Sequence, residues 1–230
     1  MINLNEALVV IPARGGSKGL KRKNIKLLGG KPLIQYTIDV ALELFEEEQV
    51  LVSTDDSEIK DIVEELGLKV PFTRPAELAT DQSTSREALL HAIGWAENNG
   101  MKPDIVIMLQ PTSPFRQAVH IKEALEKYHA DLDMVVSVKK TKSNPYFVLF
   151  EENEHGYLRK SKDSNVTRRQ DLPTVWEYNG AVYVINVNSL KERDIHQFER
   201  VTGFEMDKES SVDIDDILDW KFSELLISKG

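Results

Sequence analysis

The sequence predicts an α/β fold built on a mostly parallel sheet, and three observations predict it. Ala7 to Ile11 is an unbroken aliphatic run rich in β-branched residues, the pattern of a strand covered on both faces. A polar, glycine-rich loop and a helical apolar pattern follow it, and strand and helix patterns then alternate along the chain. The 230 residues, 41% hydrophobic and 29% charged, are enough to bury one real core, so 1–230 is expected to be a single domain.

The first strand stops at Pro12. Lys31 and Pro32 open a helical pattern reaching about Phe45, with Leu33, Ile34, Ile38 and Leu42 among its apolar positions. Gln49 to Ser53 reads as the next strand. Ser57 to Leu66 reads as the next helix, with Ile59, Ile62, Val63 and Leu66 on one face and Gly67 as its stop. Further strands are expected at Lys69 to Phe72, Ile105 to Leu109 and Met134 to Val138, separated by helices around Ser85 to Glu97 and Gln117 to Tyr128. From Lys139 to about Glu177 the pattern loosens into hairpin-like pieces such as Tyr146 to Phe150, so this stretch is expected to leave the main layer as a flap or arm. Ala181 to Asn186 returns as a buried strand. Asp215 to Ser228 forms a last helix, with Ile217, Leu218, Phe222, Leu225 and Leu226 on or near one face. No internal repeat or low-complexity tract interrupts this order.

Composition removes several function classes. With no cysteine, neither a disulfide framework nor a thiolate metal site is available, and a cytoplasmic location is the plain expectation. The first apolar stretch, Ala7 to Ala13, is too short to span a bilayer and runs straight into Arg14, without an export-like leader before it, so no membrane partner is expected. A net charge of −9 argues against a general nucleic-acid binder, because affinity for a phosphate backbone is carried by basic surfaces. Within this acidic average, Ala7 to Ile38 contains no acidic residue and seven basic ones: Arg14, Lys18, Lys21, Arg22, Lys23, Lys26 and Lys31. A local anion site follows from that asymmetry.

The segment Ala13-Arg14-Gly15-Gly16-Ser17-Lys18-Gly19 lies just beyond the first strand, where open α/β sheets place their ligands. Glycines let backbone amides approach phosphate oxygens, Arg14 offers a two-pronged contact and Lys18 a compact charge, which together describe a polyphosphate cradle. Neither common phosphate loop is present. No Gly-x-Gly-x-x-Gly occurs here, and Gly30-Lys31 is followed by Pro32 instead of Ser or Thr.

These residues resemble a known family. Arg14-Gly15-Gly16-Ser17-Lys18-Gly19, then Lys23-Asn24, looks like the opening signature of CMP-sialic acid synthetases, the acylneuraminate cytidylyltransferases, including those that activate legionaminic acid. The similarity continues through Ser53-Thr54-Asp55, Arg74 to Asp81, Gln110-Pro111-Thr112-Ser113-Pro114, Arg168-Arg169-Gln170 and Asn179-Gly180-Ala181. It implies a Rossmann-like three-layer αβα sandwich of the nucleotide-diphospho-sugar transferase type, with 139–177 as a small β-rich dimerisation extension. It also implies a reaction: CMP passes from CTP to the anomeric hydroxyl of a nine-carbon nonulosonic acid, and pyrophosphate leaves. A homodimer is implied too, which leaves open whether an arginine from the extension completes the neighbouring site.

By that similarity CTP is expected to meet Ala13, Arg14, Gly15, Gly16, Ser17, Lys18, Lys23 and Asn24 in the first loop, and Arg74, Ser83 and Ser85 further on. Arg74 and the backbone near Ser83 would read cytosine, and Ser85 would lie near the ribose; the serines equally suit a helix cap. Gln110, Thr112 and Ser113 follow a predicted strand at its carboxyl end and suit sugar oxygens. The related enzymes for the eight-carbon sugar KDO carry an acidic Gln-Gly-Asp-Glu-Pro loop here, which this chain lacks. Arg168 and Arg169 match a sugar carboxylate in geometry, or equally an exposed or interface position. Asn179 and Gly180 would bring backbone close to the sugar and lean toward a sialic or legionaminic acceptor; the alternative is a bend before a strand.

Asp213 and Asp215 stand two positions apart, so in an extended segment both point to one side and can meet one hard cation. The alternative has Asp215 capping the last helix. The family uses such an Asp-x-Asp pair for magnesium, so Mg2+ (or Mn2+) is assigned to both. Arg14, Lys18, Lys23, Asp213 and Asp215 form the expected catalytic set, acting by positioning and charge neutralisation. No histidine or glutamate stands out as a general base, which leaves a metal-bound hydroxyl open. Pseudaminate and KDO remain alternative acceptors. A catalytically silent nucleotide-binding module is the alternative of another class, and it would not need the aspartate pair.

Overall fold

Alternation along the first strand sets up two cores at once. The computed structural model describes residues 4–16, 19–166 and 168–228, with the side chains of these except Asn5 and Arg169. In it, β1 (Ala7–Pro12) turns Ala7, Val9 and Ile11 toward one apolar cluster and Leu8 and Val10 toward another, all fully buried. A strand with two apolar faces belongs in the middle of a sheet. The chain continues through β2 (Leu27–Leu28), β3 (Lys31–Pro32), α1 (Leu33–Leu42), β4 (Val50–Ser53), α2 (Ser57–Glu65), α3 (Ser85–Asn98), β5 (Ile105–Met108) and α4 (Ala118–Lys127). Then come β6 (Met134–Lys140), β7 (Phe150–Glu152), β8 (Leu158–Lys160), β9 (Trp176–Asn186), α5 (Val187–Glu192), β10 (Val201–Glu205) and α6 (Ile217–Ile227).

Among the described residues, a six-stranded sheet runs in the order β10-β6-β9-β5-β1-β4. Every pairing is parallel except those of β9, which runs antiparallel to both β5 and β6. Helices α1, α2 and α4 pack on one face, and α3 and α5 on the other, so the architecture is the expected three-layer sandwich. A third, small cluster of Leu28, Leu33, Ile214 and Trp220 ties α6 to the β2–β3 hairpin.

Several boundaries differ from expectation. Lys69 to Phe72 forms no strand; Leu68 and Val70 drop into the core shared with α1 and α2, so their apolar alternation reports packing instead of a ladder. Lys31 and Pro32 belong to β3, and α1 starts only at Leu33, because Pro32 keeps an extended ψ of 137°. The hairpin expected at Tyr146 to Phe150 lies later, as β7 with β8. Strand β9 already begins at Trp176, ahead of Ala181. Strand β10 was not anticipated, since Thr202, Gly203 and Glu205 break its apolar pattern; the free edge of β6 supplies its hydrogen bonds. Finally, α6 is capped by Asp216, whose side chain accepts from the N–H of Leu218 (2.7 Å) and Asp219 (3.1 Å), and not by Asp215.

Asp133, fully buried just before β6, anchors the segment that follows α5. Its carboxylate accepts from the Ser189 hydroxyl (2.7 Å) and the N–H groups of Arg200 (3.0 Å) and Glu199 (3.2 Å), with the Arg200 guanidinium at 3.2 Å. Burial alone would raise its pKa, but the Arg200 N–H, the Ser189 hydroxyl and the Glu199 N–H outweigh it and hold the carboxyl well below the usual range. A depressed folded-state pKa contributes stability above the unfolded value, and that stability is lost as pH falls toward the folded one. Asp133→Asn is therefore expected to lower Tm at pH 7 by on the order of 5 °C. The gap from wild type should narrow in melts below about pH 4, and equal melting at pH 7 would refute the anchoring role.

Candidate active site

The carboxyl ends of β1, β4 and β5 open on one cavity of about 630 Å³. Arg14, Gly19, Lys23 and Asn24 enter it from the loop after β1, Gln110 to Thr112 from the loop after β5, and Asp215 and Asp216 from the start of α6. Arg74 joins them because its N–H bonds Thr54 O at 2.7 Å and its guanidinium donates to Ser53 O, at the end of β4. Ser83, Thr84 and Ser85 complete the wall where α3 begins, and the helix is capped there by Thr84 in a box with Glu87.

A cation of the basic loop meets the aspartate segment directly. Lys23, only 9% exposed, donates from Nζ to Ile214 O at 2.5 Å and lies 3.2 Å from Asp215 Oδ1. Arg14 reaches across the cavity to Asp81 Oδ1 (2.9 Å) and Thr80 O (3.1 Å), while Asn24 Nδ2 holds the Arg14 carbonyl at 3.1 Å. Gly15 N–H donates to Asp55 Oδ1 at 3.1 Å, and a Cβ on Gly15 would run into the Asp56 carboxylate. Arg74 is buried with its Nε unpartnered. Burial lowers its pKa, Asp55 counteracts this, and Arg14 adds to it.

The loop after β5 is stitched to the same aspartates. Thr112 O accepts the N–H of Ile214 at 2.9 Å, and Ile214 is fully buried, which leaves Asp213 and Asp215 on either side of an apolar anchor. Gly180, at φ +78°, sits where Gln110 Oε1, Asp213 Oδ2 and Ser113 Oγ converge: a Cβ placed on it would lie 2.9, 3.5 and 3.7 Å from them. Two of these side chains carry buried polar atoms without a partner, Asp213 Oδ1 and Ser113 Oγ. The Asp213 carboxyl is pushed up by burial, against the pull of a Thr112 hydrogen bond, and Asp215 pushes it further.

Of the residues picked from the sequence, Arg14, Lys23, Asn24, Arg74, Ser83, Ser85, Gln110, Thr112 and Asp215 line this cavity. Asp213 lines an adjoining hollow of about 500 Å³ with Lys139, Lys142, Lys208 and Asn179, and Asp215 borders both. Ser17 and Lys18 lie outside the described residues, as does the side chain of Arg169. The Ser83 hydroxyl is engaged with Glu77 O (2.9 Å). Asn179 is spent on the interior, bonded to Ser137 Oγ (2.5 Å) and Ser211 Oγ (2.9 Å), so it fixes the Gly180 turn from behind. Arg168 does not reach its own cavity; its side chain is 70% exposed and pairs with Asp171 at 2.8 Å.

Sequence reasoning passed over several groups. Asp81 and Asp55 stood inside noted motifs without a role, and only the fold shows them gripping Arg14 and the Gly15 amide. A third hollow of about 380 Å³, sharing Thr84, Ser85 and Gln110 with the main cavity, is walled by Tyr178, Tyr183, Ile195, His196 and Phe198. No local spacing marks those residues as neighbours.

A family model described as cytidylyltransferase matches residues 8–220. The chain belongs to the cytidylyltransferase family. The N-acylneuraminate cytidylyltransferase of Streptococcus agalactiae is 37% identical over 212 residues, covering 90% of this chain and 50% of that protein. The CMP-N,N'-diacetyllegionaminic acid synthase of Legionella pneumophila is 32% identical over 221 residues, covering 96% of this chain and 95% of that protein. This cytidylyltransferase thus spans about half the length of the N-acylneuraminate relative and nearly all of the legionaminic one. A solved CMP:2-keto-3-deoxy-manno-octonic acid synthetase complexed with CTP superposes with a TM-score of 0.72 at 20% identity, over 97% of this chain and 99% of the other, which supports the fold.

Proposed function

We propose that this cytidylyltransferase moves CMP from CTP to the anomeric hydroxyl of a nonulosonic acid of the N-acetylneuraminate or legionaminate type, with release of pyrophosphate. One observation carries the reading: Lys23 of the basic loop touches the segment that holds Asp213 and Asp215, so a triphosphate and its divalent ion can be gripped together. The acceptor class is supported by the names of the Streptococcus and Legionella relatives.

In this reading Arg14 and Lys23 hold phosphate oxygens, with Lys18 assigned alongside them from its place in the loop. Arg74 and the start of α3 receive the nucleoside, and Gln110, Thr112, Ser113 and Gly180 receive the sugar. A bond forms between the anomeric oxygen and the α-phosphorus as the bond to pyrophosphate breaks, and the hydroxyl proton passes to solvent water. These residues align the reactants and balance charge. Asp213 and Asp215 suit Mg2+ (or Mn2+): a hard cation prefers carboxylate oxygen, and the unpartnered Asp213 Oδ1 lacks any other satisfaction. A bound ion would supply neutralisation of phosphate charge.

Homodimerisation through 139–177 belongs to the same proposal. Val148, Leu149, Phe150, Tyr157 and Leu158 are exposed on the hairpin and its approach, and a second copy would cover them. Arg168, turned away from its own cavity, is then offered to the partner's. A cytoplasmic setting fits the cysteine-free composition, and among the described residues no helix is long and apolar enough to cross a membrane.

The test is pyrophosphate release from CTP and Mg2+ with a panel of N-acetylneuraminate, N,N'-diacetyllegionaminate, pseudaminate and KDO. Release with the first two supports the reading, and CTP binding without release from any acid would instead make the protein a binding module. Gly180→Ala locates the acceptor side. With a positive φ and Gln110 Oε1 only 2.9 Å from the new Cβ, the acceptor KM is expected to rise about tenfold or more. An unchanged acceptor KM would move the sugar elsewhere.

A further inference from the structure

Arg116, just past the Gln110–Pro114 loop, is a buried cation with no part in the chemistry described so far. It is 2% exposed, and burial pulls its pKa down to about 9. Among the described residues no carboxylate lies within ion-pair distance of it. A lone charge in an interior is costly, and a neutral side chain of similar length would fill the same volume. Its contacts point to what the guanidinium contributes. Nη1 donates to Ala181 O at 2.8 Å and to Gln110 O at 3.1 Å, while Nη2 donates to Thr37 Oγ1 at 2.6 Å. The Thr37 hydroxyl lies 3.4 Å from the same Gln110 carbonyl. The two carbonyls belong to the two segments that converge at Gly180.

We infer that Arg116 is a positioning residue for the acceptor half of the site: its planar fork ties the Gln110 loop to the Gly180 turn from beneath and so sets the gap between Gln110, Gly180 and Asp213 that receives the sugar. The inference rests on the acceptor side proposed above. A fork with donors in fixed directions can hold two carbonyls at a set spacing, whereas an ammonium on a flexible stem cannot. The CTP half of the cavity touches none of these bonds. A loss of Arg116 geometry therefore acts on one substrate and not on the other.

The experiment measures steady-state pyrophosphate release by Arg116→Lys and Thr37→Val, varying N-acetylneuraminate (or N,N'-diacetyllegionaminate if it is the faster acceptor) at saturating CTP and Mg2+, and then the reverse. Arg116→Lys is expected to raise the acceptor KM about tenfold while the CTP KM stays within about twofold, and Thr37→Val to shift the acceptor KM in the same direction by about threefold. A folded Arg116→Lys with an unchanged acceptor KM, or with both KM values weakened equally, overturns the inference. Should Arg116→Lys fail to fold, Thr37→Val decides in the same way. Gly180→Ala separates the two levels. If it raises the acceptor KM and Arg116→Lys does not, the role of Arg116 alone fails; if it has no effect, the acceptor side itself is misplaced.

Discussion

Asp213→Asn is expected to lower kcat/KM by on the order of a hundredfold to a thousandfold while leaving the protein at least as stable as before. The two halves of that expectation have one cause. The carboxylate is held between Thr112 and Gly180 with Oδ1 buried and unpartnered, and burial raises its pKa, with Asp215 adding to the rise and Lys23 and Lys139 opposing it. A carboxyl whose folded pKa exceeds its unfolded value contributes its stability in the protonated form, and that contribution is lost as pH climbs through the folded value. Wherever the pH lies above that folded value and no divalent ion is bound, the ionised Asp213 is therefore a liability, and a neutral amide of the same shape removes it. In the proposed metal role, function requires the charge that stability disfavours. The checks are pyrophosphate release across a Mg2+ titration and thermal melts at pH 7 without added divalent ion. A folded variant with wild-type turnover and an unchanged titration would take Asp213 out of the site.

Gly19→Ala is expected to cost on the order of a hundredfold in kcat/KM, although no core side chain is touched. A Cβ on Gly19 would run into the carbonyl oxygen of Asp215, which is backbone and has no rotamer through which to yield. The basic loop and the aspartate segment would have to part, loosening the Lys23 contacts to Ile214 O and Asp215. In the proposed reading both ligands of the contact suffer, so the apparent affinities for CTP and for Mg2+ should weaken together. Melting should change little, because the collision lies outside the three apolar clusters. Separate CTP and Mg2+ titrations check it, and a loss confined to the acceptor KM would contradict the shared cradle.

Local rules carried the reading far. The aliphatic run of β1 and the apolar face and glycine stop of α2 are short-range patterns, and the structure reproduces the layered sheet that their alternation predicts. The pattern failed where pairing partners decide secondary structure. Lys69 to Phe72 has strand-like residues but forms no ladder with the edge strand β4, while β10 has poor strand residues and a free edge at β6.

From the sequence alone came the α/β class, the basic glycine-rich loop after the first strand and the paired aspartates, because each is written in residues a few positions apart. The tertiary structure alone brought these to one cavity: Lys23 meets Asp215 across 192 positions of chain, and Arg14 meets Asp81 across 67. It also set Arg116 beneath Gln110 and Ala181, and kept Arg168 out of its own cavity. A side chain's type is local information, but its partner depends on how the sheet brings distant loops to the same edge, and no short stretch of chain encodes that meeting.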